Sequence, residues 1–141
     1  DTHMAALNFV TSFEPNLNNG QHDFDADTFK FALTSVLPTV GMTQFNSGTS
    51  TPPSPANGYT TNGHTASISD TGGVVSLGAD VVITATAGGI GSFRYVILYN
   101  SSSTTPTNAV IGWYDYGSAI SLAVDETFTI SAGTVLTTTA T

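Results

Sequence analysis

Three aspartates at every second position, Asp23, Asp25 and Asp27 in "HDFDADTFK", are the most cation-like residues of the chain. Carboxylate oxygens are what hard cations bind, and this alternation resembles the opening of an EF-hand loop. The rest of that loop is missing. Its sixth position, where the backbone turns on glycine, is Thr28, and its twelfth, where a bidentate glutamate closes the shell, is Thr34. The preferred reading is solvated carboxylates, or an aspartate capping a turn, and no cofactor is expected. The alternative is one calcium ion near Asp23, Asp25 and Asp27, held with help from other loops.

Catalytic patterns are equally incomplete. His22 and His64 stand outside the terminal tetrapeptide "DTHM" and lack the paired spacing of a zinc site. There is no cysteine to act as nucleophile or thiolate ligand, and no G-x-S-x-G elbow. Acids such as Asp70, Asp125 and Glu126 lie in turn-like text, with nothing local to pair two of them across a cleft. A non-enzymatic protein is the expectation.

"GGIGSFRYVILYN" puts glycines before an apolar run that contains Arg94, the only arginine. A phosphate cradle needs a helix after its glycines. Here Phe93, Tyr95, Ile97 and Tyr99 alternate with Arg94, Val96 and Leu98, so a strand follows. A hairpin turning symmetrically about Thr104 and Thr105 sets Arg94 opposite Asp115, Val96 opposite Trp113 and Leu98 opposite Ile111. Phe93, Tyr95 and Tyr99 then share the other face with Tyr114 and Tyr116. Arg94 and Asp115 are expected to form a structural ion pair. Trp113, Tyr114, Tyr116 and Tyr59 are the candidates for contact with a partner or a glycan, if their rings are exposed rather than packed in the core.

The elements that must position these residues are β-strands. In "TFKFALTSV", residues 28–36, Phe29, Phe31 and Leu33 alternate with polar positions. Further apolar runs near 64–69, 73–77, 79–87, 92–99, 109–116, 118–124, 126–131 and 134–139 are separated by turn residues, the spacing of an antiparallel sandwich or jelly roll. The threonine-rich tail reads as an edge strand. One short helix is expected after Ser12, with Glu14 and Pro15 in its first turn and Gly20 as its stop. Residues 1–3 read as a cloning remnant, and residues 4–141 as a single β domain with a long loop or arm at about 37–63.

Composition narrows the partners. Ten acidic residues against Lys30 and Arg94 give a net charge of −8, which disfavours nucleic acid and anionic membranes. No apolar run approaches the roughly 20 residues of a membrane helix, and no signal-peptide pattern opens the chain.

Four blocks together are more specific than any one: "HDFDADTFKFALTSVLPT" (22–39), "ANGYTTNGHTAS" (56–67), "ADVVITATAGGIGSFRYVILYNSSS" (79–103) and "VIGWYDYGSAISLAVDETFTI" (110–130). Together they resemble a family of small virion structural proteins of tailed bacteriophages, with departures in the loop from Val40 to Ala56 and at Ala119. The resemblance implies a virion component made in the bacterial cytoplasm, with a phage coat or tail protein as partner. It fits first a capsid decoration or cement subunit, a homo-oligomer such as a trimer, with residues 4–11 and 37–63 as arms that order on the lattice. The alternative is a tail or fibre module that binds a host glycan or receptor.

Overall fold

The computed structural model describes residues 6–46 and 57–138 together with the backbone of residues 2–3. Runs of β-branched and aromatic residues become strands, and the Gly, Asn and Asp clusters between them become turns. The elements are β1 (Thr2–His3), β2 (Asn8–Phe9), α1 (Phe13–Asn18), β3 (Phe29–Thr34), β4 (His64–Ala66), β5 (Ile68–Thr71), β6 (Val74–Leu77), β7 (Val81–Thr84), β8 (Ile90–Thr104), β9 (Thr107–Leu122), β10 (Thr127–Ile130) and β11 (Gly133–Thr137). The domain is mainly β, sandwich-like, with antiparallel sheets and one short helix.

The largest sheet has the order β2-β9-β8-β3-β4, and two smaller sheets have the orders β1-β10-β7 and β11-β6-β5. Side chains from all three meet in one hydrophobic cluster that includes Phe29, Phe31, Leu77, Ile83, Phe93 and Phe128. The tail strand β11 lies at a sheet edge, pairing only with β6. Thr2 and His3 pair in parallel with Thr129 and Ile130, so residues set aside from function on sequence grounds add a strand to the β10 edge.

The long hairpin β8–β9 carries two corrections to the expected register. The turn is centred on Thr105 and Pro106, with Thr104 opposite Thr107, rather than on Thr104 and Thr105; after an irregularity the expected pairs Asn100–Ala109 and Tyr99–Val110 occur, and the register then slips by one residue. Beyond that point Leu98 faces Gly112, Ile97 faces Trp113, Val96 faces Tyr114, and Tyr95 rather than Arg94 lies opposite Asp115. The slip is a bulge at Ile111, an extra buried residue that the alternation of side chains alone does not reveal. Gly112 is needed beside it, because a Cβ there would lie 2.3 Å from the Asn8 carbonyl oxygen of β2. Second, the runs at 109–116 and 118–124 form one strand, bent at Gly117 where φ is +102°.

The segments expected as free arms are tethered where they are described. Val10 donates its N–H to Ile111, and Asn8 and Phe9 pair with Trp113 and Gly112. Gln44 bridges Ala109 while Phe45 and Val110 exchange backbone bonds with Asn108 and Thr43, so residues 43–45 cover the β9 edge just beyond β2. Residues 4–5 and 47–56 of those segments lie outside the described residues. Both coverings satisfy backbone groups that an open strand edge would expose, and that need holds the segments down.

Candidate functional site

The three aspartates cap backbone rather than converge. Asp23 Oδ1 accepts the N–H groups of Asp25 and Ala26 at 3.0 and 3.1 Å, Asp25 Oδ1 accepts that of Asp70 at 2.8 Å, and Asp27 Oδ2 accepts that of Asp23 at 2.9 Å. This is an Asx-turn network. Among the described residues, no three His, Asp or Glu side chains are grouped to hold a metal ion.

Asp27 also reaches the most buried polar group of the sheet. Asn100, with no solvent exposure, donates to Asp27 Oδ2 at 2.8 Å and to the Gln21 carbonyl at 3.1 Å. Its Oδ1 accepts the Ser102 N–H at 2.9 Å, which fixes the amide orientation and turns Nδ2 toward His22 Nδ1 at 3.1 Å. The two Nδ2 hydrogens are shared among Asp27, Gln21 and His22, and His22 Nε2 is buried without a hydrogen-bond partner among the described residues. The imidazole packs among Phe13, Phe24 and Phe29, and burial lowers its pKa although the Asp27 charge opposes the shift.

His64 has separate surroundings. Its Nε2 accepts the Thr60 N–H at 3.0 Å, its ring lies against Tyr59, and burial lowers its pKa as well. The two histidines share no partner.

Arg94 and Asp115 form a bidentate pair, Nε to Oδ1 at 2.9 Å and NH2 to Oδ2 at 3.2 Å, although they are not opposite each other in the ladder. The reach is possible because β9 bulges from Tyr116 to Ala119 opposite Arg94, where Asp115 Oδ1 also accepts the Gly117 N–H at 2.8 Å. The Arg94 guanidinium lies over the Tyr95 ring, 5.4 Å from its centroid.

The aromatic platform is a correction. Trp113, Tyr114 and Tyr59 retain only 8, 3 and 5% of their surface, and Tyr116 is half-buried against Phe128. Tyr59 accepts the Leu33 N–H at 3.0 Å just past the end of β4, replacing a missing ladder bond, and burial pushes its pKa up to about 12. Tyr114 packs on Phe31, its hydroxyl buried without a partner among the described residues, and burial raises its pKa to about 12 as well. Trp113 and Tyr114 lie inside because β9 runs beside β8 in the middle of the sheet, where both strands are buried on both faces.

Two surface features stand out. A groove of about 680 Å³ lies between β2, α1 and β11, with Phe9, Phe13, Leu17 and Leu136 along it beside Thr11, Glu14, Asn18, Thr137 and Thr138. Phe9 is 44% exposed there, and the Val40 carbonyl accepts two bonds from Thr11, which ties Val40 to the groove wall; Val36 and Leu37 of the same loop are also exposed. The second is a polar concavity of about 350 Å³, lined by Lys30, Gln44, Phe45, Asn62, Tyr99 and Asn108, among others. Sequence reading passed over Lys30, Asn62 and Asn108. Its usable signal was "NG" at Asn62-Gly63, a dipeptide that marks positive φ.

Comparison of the chain with protein-family models, curated proteins and solved structures gives no match.

Proposed function

We propose that this chain is a non-enzymatic structural subunit of a tailed-bacteriophage virion, a decoration or cement protein that binds the outer capsid shell as a homo-oligomer. The observation that carries the reading is the exposed apolar edge. Trp113, Tyr114 and Tyr59 are packed in the core, while Phe9 stays exposed in the groove and Val36, Leu37 and Val40 stay exposed in the loop that Val40 ties to Thr11 of the groove wall. Large apolar side chains gathered at a surface favour association over solvent exposure. A chain with only 9% charged residues, rich in Ser, Thr, Asn and Gly, adds little desolvation cost from charge. Binding the assembled shell alone stabilises that shell against disassembly by mass action.

The test is binding of purified protein to cognate shells stripped of it, with unrelated shells as control and copies counted per particle. Many copies, in proportion to coat subunits, support the reading, and Leu37→Asp, at a position 62% exposed, weakens binding without unfolding the domain. A few copies or none discards the decoration role and turns to the tail module. That second reading loses its Trp113 platform and is favoured instead by the polar concavity at Lys30.

A further inference from the structure

We propose that the concavity between β3, β8 and residues 44–46 binds an acidic sugar, a pyranose bearing a carboxylate, with Lys30 pairing the carboxylate and the Asn62 and Asn108 amides bonding the ring hydroxyls. The site stands independently of the virion reading, since neither the apolar edge nor the groove contributes to it.

Charge is the first argument. The chain has two cations for ten acids, and Arg94 is held by Asp115. Lys30 makes no ion pair with any described carboxylate, and its side chain borders a hollow lined by amides and hydroxyls. One lone ammonium fits one carboxylate. A polyphosphate would call for a cluster of cations or a helix N-terminus, and neither borders the hollow.

Backbone geometry is the second argument, independent of charge. Non-glycine residues with positive φ among the described residues are Asn62 at +69°, Asn108 at +54° and Asp125, and two of the three border this one concavity. Asparagine tolerates that region better than most residues, yet glycine carries it without strain. What asparagine adds is an amide, and neither side-chain amide has a hydrogen-bond partner among the described residues. An amide supplies both donors and an acceptor, the complement of a vicinal diol.

The hollow is also held in shape before any ligand arrives. Phe45 stacks on Tyr99 at 4.4 Å to form its floor, the Tyr99 hydroxyl donates to the Asn62 carbonyl, Phe45 N–H donates to the Asn108 carbonyl, and Gln44 Nε2 donates to the Thr107 carbonyl. A site already rigid loses less entropy on binding. Its volume of about 350 Å³ lies at the small end of ligand sites. Its polar lining suits a hydroxylated rather than an apolar guest.

The experiment is a titration of isotope-labelled protein with glucuronic acid, followed through backbone amide NMR shifts, with glucose and inorganic phosphate as controls. Saturable shifts at Lys30, Asn62 and Asn108 are expected with glucuronate, with glucose binding about tenfold more weakly and phosphate leaving these amides unmoved. Lys30→Gln should erase the preference for glucuronate over glucose. The double variant Asn62→Gly/Asn108→Gly, which keeps the backbone conformation while deleting both amides, should lose the shifts but keep its melting temperature. The proposal is overturned if glucuronate gives no saturable shift, if phosphate matches it, or if Lys30→Gln leaves the preference intact.

Discussion

Tyr99 and Asn100 are neighbours on β8, paired with Lys30 and Phe29 of β3, and the pleat sends them to opposite faces of the sheet. On the Asn100 face the amide is closed off by Gln21, His22, Asp27 and Ser102, with phenylalanines around the imidazole. On the Tyr99 face the ring floors an open hollow whose ammonium and two amides have no partner among the described residues. Both regions are polar, and they differ in whether their groups have been satisfied internally. A buried network whose amide is bonded within the protein fixes the fold and offers that amide to no ligand. An exposed, unsatisfied set gives up little stability and keeps its hydrogen-bonding capacity for something else.

Four substitutions and a pH series test that contrast. The largest effect is expected from Asn100→Ala, which strands His22 Nδ1, the Gln21 carbonyl and the Ser102 N–H in a buried place. A loss of about 3 kcal/mol in denaturant unfolding is expected, and a loss under about 1 kcal/mol would mean the network contributes little. An intermediate effect is expected from pH. His22 and His64 both have pKa values lowered from 6.5 by burial, so the unfolded chain binds more protons than the folded one just below that pH. Stability is therefore full above 6.5 and declines as pH falls through the lowered values. Melting temperatures between about pH 7.5 and 5 should fall with acid. The slope should be smaller in His22→Phe, whose ring suits the Phe13, Phe24 and Phe29 cluster; an unchanged slope would remove His22 as its source. The smallest effect belongs to the open face. Asn62→Gly and Asn108→Gly should each change stability by no more than about 0.5 kcal/mol, since glycine accepts the positive φ at no steric cost. A larger loss would show that these amides hold the fold rather than serve a ligand.

Local pattern carried much of the architecture. The alternation of Phe29, Phe31 and Leu33 reads as β3, Ser12 to Gly20 as the short helix, and the spaced apolar runs as an antiparallel β domain, because each depends on neighbours within a few residues. The ion pair of Arg94 with Asp115 was legible as a pairing of the lone arginine with a nearby acid, yet its geometry came from a bulge rather than from the symmetric ladder. Bulges escape a periodicity argument because one inserted residue leaves the composition of the run unchanged.

The fate of the rings and amides was settled elsewhere in the chain. Whether Trp113, Tyr114 and Tyr59 face water depends on β2, β3 and the surrounding core covering them, and Tyr59 is placed by a backbone N–H of Leu33, 26 residues away. Asn62, Asn108 and Lys30 are scattered along the sequence and meet only because β3 pairs with β8 while residues 44–46 fold back along β9. The strands, the charge balance and the turn-forming Asn and Gly positions follow from the residues alone, since these rest on local sterics and composition. Only the tertiary structure decided which polar groups were sealed inside and which were left to face solvent together, since that depends on contacts between residues far apart in the chain.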